Sequence, residues 1–161
     1  MGCTTVITDC IRVGARVPYT IDLSLFCASV WRARAVYPQA ARVRATRLGG
    51  FEYEAQVGGQ TASRVPRWPK SDATVQADGG VTWISRPISN QSLQKVITSV
   101  MWEAPSDVTV SGESQVTSNG EQSVTAYLEP AAPGDYTVIA WVTFSDSPNH
   151  VEGFAIEIEV R

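Results

Sequence analysis

Residues 51–87 read FEYEAQVGGQTASRVPRWPKSDATVQADGGVTWISRP, and this stretch decides the fold prediction. Residues 51–57 alternate apolar and polar side chains, which predicts a half-buried strand. Two further short runs, residues 73–75 and 81–84, are rich in strand-forming residues and flank Asp78-Gly79-Gly80. Because glycine tolerates the positive φ that tight turns require, this arrangement predicts a β-hairpin.

The same stretch carries three large aromatic residues, Tyr53, Trp68 and Trp83. Trp68 lies within the tetrapeptide Pro66-Arg67-Trp68-Pro69. An indole buries a large apolar area, so one interpretation is that these rings form the core of a small β module. The alternative is that the three rings form an aromatic platform for a sugar.

These residues resemble a small β module that recurs in the structural proteins of tailed phages. The resemblance is carried by Phe51, Tyr53, Gly58, Gly59, Pro66, Trp68, Pro69, Thr74, Val75, Asp78, Gly79, Val81 and Trp83. One departure is the turn, which is often Gly-Thr-Thr-Gly in the family and is GGQTAS at residues 58–63 here. The resemblance implies a protein of the virion.

The chain before residue 51 predicts further strands. Residues 21–31 favour extended structure, although part of the run also fits helical spacing. Residues 31–37 and 41–47 alternate, which places arginines on one face of each predicted strand. These arginines are interpreted as a solvated sheet face or as contacts for an acidic partner subunit: Arg32, Arg34, Arg42 and Arg44.

Residues 88–95 are mostly polar and predict a linker, so the expected domains are 1–90 and 91–161. Residues 96–161 contain several short apolar runs separated by turn signals, among them Ser111-Gly112 and Asn119-Gly120. Such spacing is typical of a β-sandwich. The expected fold class is therefore all-β, with an N-terminal β-rich module and a C-terminal sandwich.

Residues 96–161 also resemble the small C-terminal domain of phage fibre-to-tail adaptor proteins, and their turn into a strand at residues 133–138 resembles many immunoglobulin-like domains. The adaptor resemblance is carried by residues 99–102, 108–110, 124–128, 134–138 and 154–160. It implies an immunoglobulin-like sandwich that joins the tail or neck to a fibre, with no catalytic residues to carry over.

The net charge of −3 is unevenly distributed along the chain. Residues 1–90 carry 11 Lys+Arg and 6 Asp+Glu, whereas residues 91–161 carry 2 and 10. This asymmetry predicts association of copies through opposite charges, with Glu157 and Glu159 as candidate contacts opposite the arginines named above. The arginines are dispersed, so nucleic acid is not the expected partner.

No catalytic, cofactor or metal site is predicted. His150 is the single imidazole and lies in a loop without a nucleophile motif. The three cysteines, Cys3, Cys10 and Cys27, lack the ligand number and spacing of a zinc site. They are interpreted as reduced thiols, or as partners in a disulfide formed in an oxidising medium, including one between subunits.

The residues and the resemblances together predict a non-enzymatic phage structural protein. The expected role is an adaptor of the neck or tail, assembled in the host cytoplasm, that forms a homo-oligomeric ring and binds fibre or tail subunits. A capsid decoration protein or a carbohydrate-binding module on the virion surface is the alternative. No membrane span is expected, because no apolar run approaches the roughly 20 residues that cross a bilayer. No signal peptide is expected either, because residues 1–8 lack a basic region followed by an apolar core.

Overall fold

The computed structural model describes residues 3–45, 50–146 and 150–161. Most of these residues lie in β-strands, which confirms the all-β prediction. The chain folds into two compact units. The terminal unit comprises Met1–Leu23, Lys95–Thr117 and Gln122–Arg161, and the central unit comprises Ser24–Gln94 and Ser118–Glu121.

The predicted domains 1–90 and 91–161 therefore need a correction at the N-terminus. The chain passes from the central unit to the terminal unit after Gln94, within the linker predicted at residues 88–95. The first 23 residues, however, belong with the C-terminal half of the chain. The physical reason is strand pairing between positions that are far apart in sequence, which hydrophobic periodicity does not report.

The terminal unit contains a four-stranded sheet and a three-stranded sheet. The four-stranded sheet has the order β1 (Cys3–Ile11), β13 (Val151–Val160), β12 (Gly134–Phe144), β9 (Ile97–Glu103). The three-stranded sheet has the order β10 (Val108–Val116), β11 (Ser123–Pro130), β2 (Val17–Asp22). Strand β1 runs parallel to β13, and β2 runs antiparallel to β11, so both N-terminal strands complete sheets made by the C-terminal half.

Residues 154–160 alternate apolar residues with other residues, a pattern that predicts one buried face. Strand β13 confirms it by burying Phe154, Ile156, Ile158 and Val160. The three-stranded sheet likewise buries one face, through Val124, Ala126 and Leu128 among others. Tyr19 Oη, on β2, donates to the Asp9 carboxylate on β1 at 2.9 Å, a hydrogen bond that joins the three-stranded sheet to the four-stranded sheet.

The central unit is built around residues 51–87, the stretch that contains the predicted hairpin. It contains a four-stranded sheet in the order β4 (Arg42–Val43), β5 (Phe51–Val57), β8 (Val81–Pro87), β7 (Val75–Asp78). A second, two-stranded sheet pairs β3 (Val36–Tyr37) with β6 (Gly59–Gln60). The unit also has a one-turn helix α1 (Ser24–Cys27) and a 3₁₀ turn at Asn90–Ser92.

The hairpin predicted around Asp78-Gly79-Gly80 is confirmed. Strands β7 and β8 pair antiparallel, with Asp78 opposite Val81, and Gly79 has a φ of 62°. A side chain at Gly79 would also meet backbone, because its Cβ would lie 2.6 Å from Gln60 O. The turn therefore depends on glycine for its conformation and for its close approach to β6.

Four local predictions were wrong. Residues 24–27 are helical rather than extended, and residues 31–35 form no strand, with Arg34 at a φ of 55°. The predicted strand at 41–47 is reduced to Arg42–Val43, and residues 46–47 lie outside the described residues. Ser111-Gly112 is not a turn: β10 continues through it with a register shift between Ser111 and Ser114, a β-bulge with Gly112 at φ 60°.

Candidate interaction surfaces

The three aromatic residues proposed as a sugar platform lie in the core of the central unit. Trp83 is 0% exposed and Tyr53 is 3% exposed, and Trp68 packs against them from a partly buried position. The rings of Tyr53 and Trp68 stack with centroids 4.1 Å apart, and Trp83 meets Trp68 edge-on at 6.1 Å. The rings cover one another, so these three residues do not form a platform for a sugar.

Asp78 holds this aromatic core together from a buried position. Its Oδ2 accepts the indole N–H groups of Trp31 at 2.8 Å and Trp83 at 2.9 Å, and its Oδ1 accepts Ala62 N–H at 2.9 Å. A buried carboxylate is costly unless it is hydrogen-bonded, and here three donors converge on it. The residue that opens the hairpin turn is therefore also the polar centre of the core, a role that its turn position did not indicate.

Arg42 is not the outward-facing contact that its alternation predicted. Its guanidinium bridges the carboxylates of Glu52 and Glu54, each at 2.5 Å, and the Glu52 side chain is 0% exposed. Ser89 N–H and Oγ–H also donate to Glu52, at 2.9 and 2.8 Å. Burial alone would raise the pKa of Glu52, but these hydrogen bonds from Arg42 and Ser89 outweigh it and hold the pKa below its ordinary value.

Arg44 is also misplaced by the sequence prediction, because it is only 2% exposed. Its guanidinium donates to Gly120 O at 2.7 Å and to Ser92 Oγ at 3.0 Å. Arginine can serve such a buried position because its planar fork reaches several acceptors at once. The alternation did not predict the burial of Arg44, because its partners, Ser92 and the Asn119-Gly120 turn, lie far away in the sequence.

Arg32 and Arg34 are exposed, as predicted, although they lie in a loop and not on a strand. The central unit exposes further cations in the loop that follows β6. Together these residues are named the basic loops: Arg32, Arg34, Arg64, Arg67 and Lys70. The last three were not identified as contacts from the sequence, although the charge count of the N-terminal half included them.

Glu157 and Glu159 lie on the exposed face of the four-stranded sheet, as predicted. Two other exposed carboxylates share this face, and the set is named the acidic face: Glu103, Asp135, Glu157 and Glu159. Thr5 donates to Glu157 at 3.0 Å, and Arg161 donates to Glu159 at 2.8 Å, a bond that holds the pKa of Glu159 below its ordinary value. Trp141 Nε1 donates to Glu103 at 2.6 Å.

One pairing on the acidic face opposes the stability of the sheet. Asp135 on β12 lies directly opposite Glu159 on β13 in the antiparallel register. Like charges placed directly opposite each other destabilise a sheet. The Asp135–Glu159 pairing therefore reduces the stability of the sheet at this position.

His150 lies between two carboxylates at the start of β13. Its Nδ1 is 2.9 Å from Asp146 Oδ1 and its Nε2 is 3.1 Å from Glu152 Oε1. The hydrogen bond with Asp146, followed by that with Glu152, raises the pKa of the imidazole above its ordinary value of 6.5. The two ring nitrogens point at carboxylates on opposite sides, which suits an imidazolium ion and not a metal ligand.

Within the described ranges 3–45, 50–146 and 150–161, no group of three or more His, Cys, Asp or Glu residues could hold a metal ion. Cys3 and Cys10 are exposed, Cys27 is buried, and none of the three is in a disulfide. Within the same ranges, no helix has the length and apolar character needed to cross a membrane.

Comparison with known proteins identified no family, because no family model and no curated protein matches the chain. One solved structure, that of the cysteine protease inhibitor EhICP2 from Entamoeba histolytica, is similar to part of it. The likeness has 14% identity and a TM-score of 0.30, and it covers 42% of this chain and 73% of that one. A TM-score of this size carries no argument about fold or function.

Proposed function

We propose that this protein is a non-enzymatic structural component of a tailed-phage virion, an adaptor of the neck or tail that joins fibre or tail subunits. The class comes from the two resemblances carried by residues 51–83 and 96–161. The observation that supports an assembly role in this chain is the division of charge between its two units.

The terminal unit has 4 Lys+Arg and 11 Asp+Glu in its sequence, a net charge of −7. The central unit has 9 and 5, a net charge of +4, and the two values together give the −3 of the chain. The folded units keep the division seen in the sequence halves, because residues 1–23, which join the terminal unit, contribute two charges of each sign. Each copy therefore offers both an anionic and a cationic unit to other subunits.

The mechanism is assembly through complementary surfaces. The acidic face of one copy would contact the basic loops of another copy or a cationic region of a neighbouring virion protein. Complementary potentials of this kind accelerate encounter and fix register more than they add raw affinity. Repetition of such a heterologous contact generates a closed ring when the rotation between copies closes.

The location in the particle is tested by co-purification. Particles from the producing lysate are banded on a density gradient, and this chain is quantified against the major capsid protein by mass spectrometry. A fixed low ratio, equivalent to one or a few rings per particle, is the expected result. A ratio near one per capsid subunit would replace the adaptor with a decoration protein, and absence from the particles would overturn the virion proposal.

The electrostatic mechanism is tested on the purified protein. Assembly measured by light scattering should weaken as ionic strength rises, because salt screens exposed charges. The double variant Glu157→Gln/Glu159→Gln should weaken it at low salt. Glu129→Gln is the matched control, since Glu129 is an exposed carboxylate of the same unit on β11, in the other sheet. Equal effects of both changes would exclude the acidic face as the contact.

A further inference from the structure

Strand β1 forms one edge of the four-stranded sheet, with β13 on its inner side. From Cys3 to Cys10 every residue is exposed except Ile7, which is half-buried. Ile11 O accepts Arg161 N–H at 3.1 Å from the β13 side, whereas the adjacent Cys10 N–H donates to the Asp9 side chain at 2.8 Å. An edge strand of this kind presents backbone groups that can pair with a further strand.

The sequence of this edge is close to a chemical palindrome. Residues 3–10 read CTTVITDC. When a second copy is laid antiparallel with the two segments in full overlap, four kinds of pair form, each occurring twice. They are Cys3 with Cys10, Thr4 with Asp9, Thr5 with Thr8, and Val6 with Ile7.

A bulge at Val6 makes this overlap possible. In a regular strand, residues an odd number of positions apart point to opposite faces, so Cys3 and Cys10 would not share a face. The register of β1 against β13 shifts between Thr5 and Ile7. Cys3 is therefore opposite Gly153 and Cys10 is opposite Glu159, two positions on the same, outward face of β13.

The other pairs obey the same geometry. Thr5 and Thr8 both lie on the outward face. Thr5 donates to Glu157, and Thr8 is the residue directly opposite Glu157 in the register of β1 and β13. Thr4 and Asp9 lie opposite Phe154 and Ile158, so both point to the inner face. Since directly opposed residues of an antiparallel pair point to the same face, every polar pair of the palindrome meets this condition.

We propose that β1 is a homodimer contact: two copies pair their β1 strands antiparallel about a two-fold axis and join two four-stranded sheets into one continuous sheet. The contact is isologous, with each residue of one strand facing its complement in the other. A Thr4 hydroxyl would face the Asp9 carboxylate of the second copy and add an intermolecular donor to those that Tyr19 and Cys10 already supply. This pairing does not depend on where in a particle the protein acts.

The two exposed cysteines would cross-link this contact by disulfides under oxidising conditions. Directly opposed residues of antiparallel strands have Cα atoms about 4.5–5.5 Å apart, within the range of roughly 4.4–6.8 Å that a disulfide spans. Cys3 of each copy lies opposite Cys10 of the other, so two disulfides form per dimer. In each, two thiols reduce one molecule of oxidised glutathione to two molecules of glutathione, and one S–S bond joins the chains.

The test uses two single variants, Cys3→Ser and Cys10→Ser, each incubated with oxidised glutathione and analysed on non-reducing gels. Wild-type protein should form a covalent dimer. Neither variant alone should do so. Each copy keeps one thiol on β1, and the two copies' β1 thiols would lie on the order of 20 Å apart in the paired strands, at about 3.3 Å per residue. A mixture of the two variants should form the dimer, with a peptide linking Cys3 to Cys10 in the mass spectrum.

Other results would contradict the proposal. Dimers formed by either single variant alone would mean a different register or random collision. A dimer linked through Cys27, or absence of any dimer in the wild type, would exclude β1 pairing. Capture of another protein's strand in place of a second copy would appear as a monomer in pure preparations, and that result would also overturn the homodimer.

Pairing without the disulfide is tested separately under reducing conditions. The double variant Cys3→Ser/Cys10→Ser should remain a concentration-dependent dimer by light scattering. Thr8→Pro should abolish it, because proline removes an N–H from the free edge, the side on which the backbone of Cys10 also points. Unchanged circular dichroism would show that Thr8→Pro leaves the fold intact, and a Thr8→Pro protein that still dimerises would contradict edge pairing.

Discussion

The indole of Trp31 and the carboxylate of Asp78 are joined by a buried hydrogen bond of 2.8 Å. Trp31 precedes the strands of the central unit's four-stranded sheet in the sequence, whereas Asp78 is the last residue of β7. Trp83 donates to the same oxygen. One side chain thus accepts the hydrogen bonds of both buried indole N–H groups, so the aromatic core and the hairpin turn depend on each other.

Asp78→Asn should therefore destabilise the central unit by about 1–3 kcal/mol, the cost of leaving buried groups unsatisfied. The amide keeps one acceptor oxygen for the indoles, but its NH₂ group would face Ala62 N–H, another donor. Urea unfolding followed by tryptophan fluorescence measures the change. Asp72→Asn is the control, because Asp72 is exposed and bonds only locally, to Ala73 N–H. Equal losses in the two variants would contradict a special role for Asp78.

Gly120→Ala should destabilise the protein more than Gly14→Ala does. Both glycines have nearly the same φ, 74° and 73°, so the backbone penalty of roughly 1–2 kcal/mol is shared. At Gly120 the added Cβ would also lie 2.3 Å from Arg44 Nη2 and 2.2 Å from Ile88 Cγ2, whereas at Gly14 it meets nothing within 4 Å. Chemical denaturation of both variants gives the difference, and equal midpoints would show that Arg44 adapts without cost.

Glu52→Gln should cost about 1.5–3 kcal/mol near neutral pH, since it removes charge-assisted hydrogen bonds from Arg42 and Ser89. The pKa of Glu52 is lower in the folded chain than its ordinary value of 4.5, so its contribution is present above that value and is lost as pH falls through the folded pKa. Wild-type stability should thus fall in acid more steeply than that of the variant. Glu54→Gln, a partly exposed partner of the same arginine, should cost less. Parallel pH profiles of wild type and Glu52→Gln would refute this assignment.

The imidazole of His150 should titrate above 6.5 in the folded protein, because Asp146 and Glu152 stabilise its charged form. A raised pKa means that the stabilisation is complete below the ordinary value and is lost as pH rises through the folded value. The chain has a single histidine, so its NMR signal is assigned without ambiguity. Asp146→Asn should lower the measured pKa, and an unchanged titration curve would contradict the contact.

Asp135→Asn should raise the free energy of unfolding slightly, because it relieves repulsion from Glu159 directly across the sheet. Added salt should reduce this gain, since it screens the same repulsion. Glu129→Gln is the comparison: Glu129 is exposed and lies opposite the neutral Thr109. If Glu129→Gln raised the free energy of unfolding by the same amount, the gain would come from the lower net charge and not from the Asp135–Glu159 pair.

The sequence by itself determined the all-β class, the hairpin at Asp78-Gly79-Gly80, the inward face of β13 and the exposure of Glu157 and Glu159. These features follow from local causes: glycine in a turn, and alternation along a strand with one buried face. The same alternation failed for Arg42 and Arg44. Period-2 patterning separates two faces but does not report what a later segment places on the outer one.

Only the tertiary structure decided which segments belong together. Strand β1 joined β13, and β2 joined β11, because backbone groups at the edges of the C-terminal sheets were satisfied by a distant part of the chain. The same long-range packing buried Arg44 against the Asn119-Gly120 turn and set two tryptophans on Asp78. Such contacts depend on which surfaces meet in space, a relation that no single stretch of sequence contains.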